Sequence, residues 1–480
     1  MTQRPMGETA DWGQPARYAG LHGFHRYWGK KPLEPLRGLV AILSQPGDVV
    51  ADPFMGTGAI AGDVVRSGRH FVGGDLNPLA VQLARFQLDP GGKGHIHAAL
   101  AHLARVTRPE IERTYCGGDG RIATHLLWNG PEIEAVWHRP ATGRRRASRA
   151  AQAPDYAMTA RFAAYYPHGW RRLALFDNGR INASAALDWP DLFTGRALHN
   201  IDLLLHAIRQ VDDEAVRRAL ELTLSAGIGQ MSRMVCALKR DGRVDPGSWT
   251  MGYWRPARHF ECNVWNGFAQ RAGRLRRGLV AGDDVCPVPM TDLGHVMNGG
   301  PAAVLACMDA GDLLAALPAD GVQLFLTDPP HGDRVPYLEL SEMWNAMLGL
   351  DVAMAQEIVV SNARGRDKNT AVYDRALGAV LAGCATRVRP GGFVVTVFNS
   401  ARRGDWSSLA ALDRQPDMTL LGAVPLAYSA GSLAQDMRRG ALRGDYVVVH
   451  ARMPVDADRH AALRALPGWR SDLAQLQAAG

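Results

Sequence analysis

The first readable pattern of apolar and polar positions begins at Leu33. In "PLRGLVAIL" apolar residues recur at helical spacing, and "GDVVADPF" follows as a short apolar run with turn residues on both sides. "GAIAGDVVRSG" returns to helical spacing and closes on Gly68, after which "HFVGGDLN" reads as a second strand. Strand, helix and strand joined by short connections predict a parallel sheet, because parallel neighbours need a crossover between them. From Gly91 to about Gly300 the alternation stops. The pattern there predicts a helix near 96–106 and hairpin strands in "RIATHLLWNG" and "EIEAVWHR", then helices in "ALHNIDLLLHAIRQV" and "DDEAVRRALELTLSAGIGQMSRMV". Alternation resumes at Ala303 with "AVLACMDA", "GVQLFLTDPP", a helical stretch over 370–388, "GGFVVTVFNS" and "GDYVVVHAR". The expected fold class is α/β, a doubly wound Rossmann-like sheet interrupted by a long α+β insertion. The expected division is a first half at 1–92, the insertion at 93–300, a second half at 301–455 and a tail at 456–480.

Composition narrows the partners. Across 480 residues the formal net charge is +7 and the pI about 9.2, which leans toward a polyanion such as nucleic acid. Only five of the basic residues are lysines (30, 31, 93, 239, 368), and the rest are arginines, whose planar fork suits phosphates and base edges. The six cysteines (116, 236, 262, 286, 307, 384) are never closer than 21 residues, so no CxxC pair exists and neither a disulfide framework nor a structural zinc is expected. "MTQRPMGETADWGQPARY" lacks an apolar signal core, and no apolar run approaches the roughly 18 residues of a span. These features lead to the expectation of a cytoplasmic protein with no membrane partner.

Candidate chemistry starts at "VVADPFMGTGAIAG". A strand delivers Asp52, the chain turns through Gly56 and Gly58, and a helix follows, which sets bare backbone at the carboxyl edge of a sheet. The plainer reading is a tight turn chosen for packing. Seventeen residues beyond Gly58, "GGDLNP" ends the second strand on Asp75, where a carboxylate can accept from both ribose hydroxyls or cap the helix that starts at Pro78. A P-loop motif is missing, which argues against a nucleoside triphosphate.

These motifs resemble those of the S-adenosylmethionine-dependent DNA methyltransferases that modify exocyclic amines of adenine or cytosine. Asp52-Pro53-Phe54-Met55-Gly56-Thr57-Gly58 is similar to their methionine-binding loop and Asp75-Leu76-Asn77-Pro78 to their ribose-binding segment. Asp309-Ala310 resembles the pair beside the cofactor adenine, and Asp328-Pro329-Pro330-His331 the catalytic Asp-Pro-Pro-aromatic signature with histidine in the aromatic place. "HRYWGKKP", residues 25–32, resembles the segment that closes over the methionine end. The resemblance implies a methyltransferase sheet, S-adenosylmethionine as cofactor, and Asp52, Pro53, Phe54, Gly56, Gly58, Asp75, Asn77 and Asp309 as its holders. It also implies that Asp328 and the Pro329 carbonyl draw the two amine hydrogens, so that the nitrogen lone pair is localised for attack, and that the prolines keep that carbonyl still. His331 then stacks on the flipped base or hydrogen-bonds to it, or is a plain turn residue, with Tyr337 and Trp344 as the other candidate stacking surfaces.

Two other chemistries fit less well. Cytosine C5 methylation needs a cysteine usually presented after proline, and no Pro-Cys dipeptide occurs; the one close histidine pair, His95 and His97, has no cysteine beside it to complete a metal site. The insertion is the expected reader of nucleic acid, through Arg144, Arg145, Arg146 and Arg149 and through Arg271, Arg274, Arg276 and Arg277 on a helical stretch. Among these Arg144, Arg145, Arg146, Arg274 and Arg277, with Tyr337, are the named contacts. "MGYWRPARHFECNVW" either stacks at the flipped site or forms the insertion's own core. The expected substrate is DNA. An RNA base amine, or a decayed site on a nucleic-acid-binding protein, remains the alternative.

Overall fold

The computed structural model describes residue 18 and residues 20–139, 147–240, 242–249, 252–281, 287–294, 296, 299–398, 408–427 and 444–471. Thirteen strands lie among them. The first two are β1 (Val49–Asp52) and β2 (His70–Asp75), followed by β3 (Ala123–Asn129), β4 (Glu132–His138), β5 (Ala147–Arg149), β6 (Ala237–Arg240), β7 (Arg243–Pro246) and β8 (Arg258–Cys262). The last five are β9 (Ala303–Cys307), β10 (Val322–Thr327), β11 (Val388–Phe398), β12 (Met418–Ala427) and β13 (Gly444–Arg452). Strands from both ends of the chain build one seven-stranded sheet in the order β12-β13-β11-β10-β1-β2-β9. β13 runs antiparallel to both neighbours, and the pairings from β11 through β9 are parallel. The fold class read from the pattern is the one observed.

The sheet strands are apolar because both their faces are covered. All six residues of β10 are buried, and so are Val49, Val50 and Ala51 of β1. One face packs on the helix Leu33–Leu43, whose Leu36, Leu39, Val40 and Leu43 fall on a single stripe, and on Ala457–Arg464. The other face packs on Ala310–Ala316 and Thr370–Arg387. Order reverses between β1 and β10, so their carboxyl ends open a crevice, the usual ligand position in such sheets.

Residues between β2 and β9 form a separate four-stranded sheet, β5-β4-β3-β8, and a β6-β7 hairpin. A third core joins the long helices Gly195–Arg209, Glu214–Ile228 and Val264–Ala281 to the helix Tyr337–Leu348 and to Pro78–Leu88 beside the crevice. In "MGYWRPARHFECNVW", Tyr253, Phe260 and Trp265 are buried in the insertion and Trp254 is exposed. Among the described residues no helix is long and apolar enough to cross a membrane.

Candidate active site

Three strand tips converge on the crevice. β1 ends on Asp52, whose Oδ1 accepts from the Phe54 amide at 3.0 Å and from the Thr327 hydroxyl at 2.7 Å. β2 ends on Asp75, which accepts from the Gly56 amide through Oδ2 at 2.9 Å and from the Asn77 amide through Oδ1 at 2.8 Å. Burial pushes the Asp52 carboxyl up to about 7 and the Asp75 carboxyl up to about 6, against the opposing pull of these hydrogen bonds. Between the two tips the backbone runs through Gly56 at φ 53° and Gly58 at φ 61°. Side chains are strained in that region, and a Cβ on Gly58 would stand 2.9 Å from that of Ala84. Gly58 is thus closely packed on the helix that carries Ala84, Gly56 lies under Tyr27, and both line the cleft.

β10 delivers Asp328 to the same cleft. Its Oδ1 is held twice, by the Lys31 ammonium at 3.2 Å and by His331 Nε2 at 3.0 Å, while Oδ2 has no partner among the described residues. The two prolines that follow carry no N–H. Pro330 offers its carbonyl to the Tyr373 hydroxyl at 2.5 Å. No described residue donates to the Pro329 carbonyl. One carboxylate oxygen and one carbonyl are thus left with hydrogen-bonding capacity side by side in sequence, at the end of a rigid strand.

The far wall is Tyr337–Leu348 with the segment that follows it. Tyr337 and Tyr27 stack within the lining with centroids 6.2 Å apart. Glu357 lines the cleft, and its Oε1 accepts from the Leu338 amide at 3.0 Å. Burial raises its carboxyl, and Arg366 opposes the rise. Asn77 fastens this wall to the tip of β2, donating to Ser341 at 2.9 Å and accepting from Asn345 at 3.0 Å.

Comparison with known proteins bears on this half of the cleft. Residues 9–86 match the N6_N4_Mtase family model, a DNA methylase. The matched DNA-methylase segment contains Lys31, the β1 tip, the glycine turn and the β2 tip. No curated protein matches the chain. Two solved structures of the rRNA methyltransferase aviRa from Streptomyces viridochromogenes are similar at 11% and 12% identity, covering 92% of this chain and 92% and 91% of theirs. Their TM-scores of 0.27 and 0.26 are too low to inform on activity.

Most of the residues singled out in the sequence meet in this one cleft. Asp52, Pro53, Phe54, Gly56, Gly58, Asp75, Asn77, Asp309, Asp328, Pro330 and Tyr337 all line it. Asp309 also caps the helix Ala310–Ala316 through the Gly311 amide at 2.7 Å. Asn77 is 1% exposed with its side-chain amide spent on the wall, so it braces the tip of β2 rather than offering free groups to a ligand. Pro329 is buried and not itself among the lining residues. Of the alternatives open for His331, stacking has no ring face exposed in this structure. Its ring turns back to Asp328 and packs on Phe398 at 5.3 Å, with a side chain only 8% exposed, so it presents no face to a base. Trp344 is likewise closed off, 1% exposed between His25 and Trp28. Arg274 and Arg277 lie exposed on Val264–Ala281, away from the lining, and Arg144, Arg145 and Arg146 lie outside the described residues. Sequence reasoning missed Lys31, Tyr27, Thr327 and Glu357. The signal for Lys31 was present, since "KK" holds two of only five lysines.

Proposed function

We propose that the protein transfers a methyl group from S-adenosylmethionine to an exocyclic amine of a DNA base, N6 of adenine or N4 of cytosine. The observation that carries this reading is the convergence of Asp52, Asp75 and Asp328 on one cleft at the sheet's reversal point, with one Asp328 oxygen unpartnered among the described residues. The residues suit the cofactor. Gly56 and Gly58 line the cleft, Asp75 retains acceptor capacity for two hydroxyls, and Asp309 stands at the same cleft for the adenine end. When bound, the cofactor supplies an electrophilic methyl carbon.

Everything else falls to the chain. An exocyclic amine attacks poorly while its lone pair is delocalised into the ring. Asp328 Oδ2 and the Pro329 carbonyl each accept one amine hydrogen, which turns the lone pair out of the ring plane. Thr327 anchors the strand end to Asp52, and Tyr373 fixes the Pro330 carbonyl, so neither acceptor has to reorganise as charge develops. The aromatic pair Tyr27 and Tyr337 in the lining offers ring surface to an entering base, with Tyr337 one of the stacking candidates named from the sequence.

The test is mass spectrometry of nucleosides from DNA and RNA incubated with the protein and methyl-deuterated cofactor, with Asp328→Ala in parallel. Label in N6-methyladenine or N4-methylcytosine of DNA is expected, absent with Asp328→Ala although cofactor affinity persists. Label in RNA alone would move the substrate class, and an active Asp328→Ala protein would overturn the mechanism.

A further inference from the structure

Lys31 is 8% exposed and bridges two carboxylates, Asp445 Oδ2 at 2.7 Å and Asp328 Oδ1 at 3.2 Å. Asp445 is 1% exposed on β13, the antiparallel strand on the far side of β11 from β10. A lysine facing Asp328 alone would form a neutral pair. That would weaken the attraction between Asp328 and an amine becoming positive. With Asp445 on its other side the ammonium is shared between two carboxylates, so it orients Asp328 with only part of its charge spent there. Lys31 and His331 approach the same oxygen, Oδ1, from separate elements, and two contacts on one oxygen fix the plane of the carboxylate.

We propose that Lys31 is a positioning residue for methyl transfer: clamped by Asp445, it sets the rotamer of Asp328 and reserves Oδ2 for the target amine. The inference rests on the amine-methylation reading above.

Removing Lys31 alone would take its ammonium from the buried Asp445, so the informative variant is Lys31→Met with Asp445→Leu, which takes out both sides of that contact together. Single-turnover transfer at saturating cofactor is expected to fall about 10²-fold, the scale of a catalytic group displaced by roughly an ångström, with unchanged cofactor affinity. A second readout needs no activity. Five lysines make a sparse spectrum, and in protein labelled at the lysine Cε and Nζ the Lys31 signal, assigned with Lys31→Arg, is expected to move on Asp328→Asn. An unchanged transfer rate would overturn the proposal, as would a loss that tracks cofactor affinity or a Lys31 signal indifferent to Asp328→Asn. If the unaltered protein methylates neither DNA nor RNA, the amine reading fails, and the lysine signal still decides whether the clamp exists.

Discussion

His331 follows Asp328 and the two prolines with its ring turned back to the aspartate. Its Nε2 lies 3.0 Å from the Asp328 oxygen that Lys31 also holds, and its ring is packed on Phe398. His331→Phe keeps the ring and removes the nitrogen, so it tests the contact and not the shape. Transfer is expected to drop about tenfold, the low end for a preorganised polar contact, with cofactor affinity unchanged; a faster enzyme would mean that the ring does swing out to stack. Asp52 and Asp75 carry a pH signature. Both carboxyls are raised by burial, to about 7 and about 6, above the ordinary value near 4 in an unfolded chain. Groups raised in this sense stabilise the fold below about pH 4, and that contribution is lost as pH rises through about 6 to 7. The ligand-free protein should therefore melt lower as pH climbs across this window. Asp52→Asn should flatten part of that slope in a thermal-melt series, while cofactor affinity, which uses ionised acceptors, rises over the same range.

At the scale of elements, the helix Tyr337–Leu348 joins the insertion to the cleft. Glu339 and Glu342, both fully buried, answer Arg366 at 3.0 Å and Arg171 at 2.6 Å. The hydroxyl of Tyr253 donates to the Glu339 carbonyl at 2.6 Å. Arg366 also pairs with Glu357 of the cleft wall. Arg366→Leu would strand two buried carboxylates, and urea unfolding should record a loss of about 3–5 kcal/mol, with weaker cofactor binding as the wall at Glu357 loosens. A variant as stable as the original would mean that the pair is dispensable. This helix was illegible in the sequence for the same physical reason. Its polar residues Glu339, Ser341, Glu342 and Asn345 occupy buried positions because partners such as Arg171, Asn178 and Asn77 satisfy them from far along the chain, so no apolar stripe marks it. By contrast β1, β2 and β10 were legible, since a strand covered on both faces must be apolar up to its tip, and an acid at that tip then stands out. Asp52, Asp75 and Asp328 were found in this way. Lys31 and the turned ring of His331 depend on contacts that spacing does not encode.

At the scale of the whole molecule, the net charge of +7 matters only through the arginines that are not already answered. Arg149 spends its fork on Asp155 at 2.6 and 2.9 Å, and Arg258 is paired with Glu134. Arg271 differs. It is half-buried on Val264–Ala281 with no carboxylate in ion-pair reach among the described residues, and burial together with repulsion from Arg274 and Arg26 pulls its guanidinium down to about 10. An unanswered cation that neighbours disfavour gains most from an incoming phosphate. It also lies near the segment that supplies Tyr27 and Lys30 to the cleft lining, so a phosphate there would sit close to the entering base. Arg271→Gln and Arg274→Gln should each weaken binding of a DNA duplex uniformly across sequences and lower the slope of log affinity against log salt by about 1. Arg258→Gln should leave that slope where it is. Fluorescence anisotropy over a salt series measures all three, and equal slopes for Arg271→Gln and Arg258→Gln would place the nucleic acid on another face of the insertion.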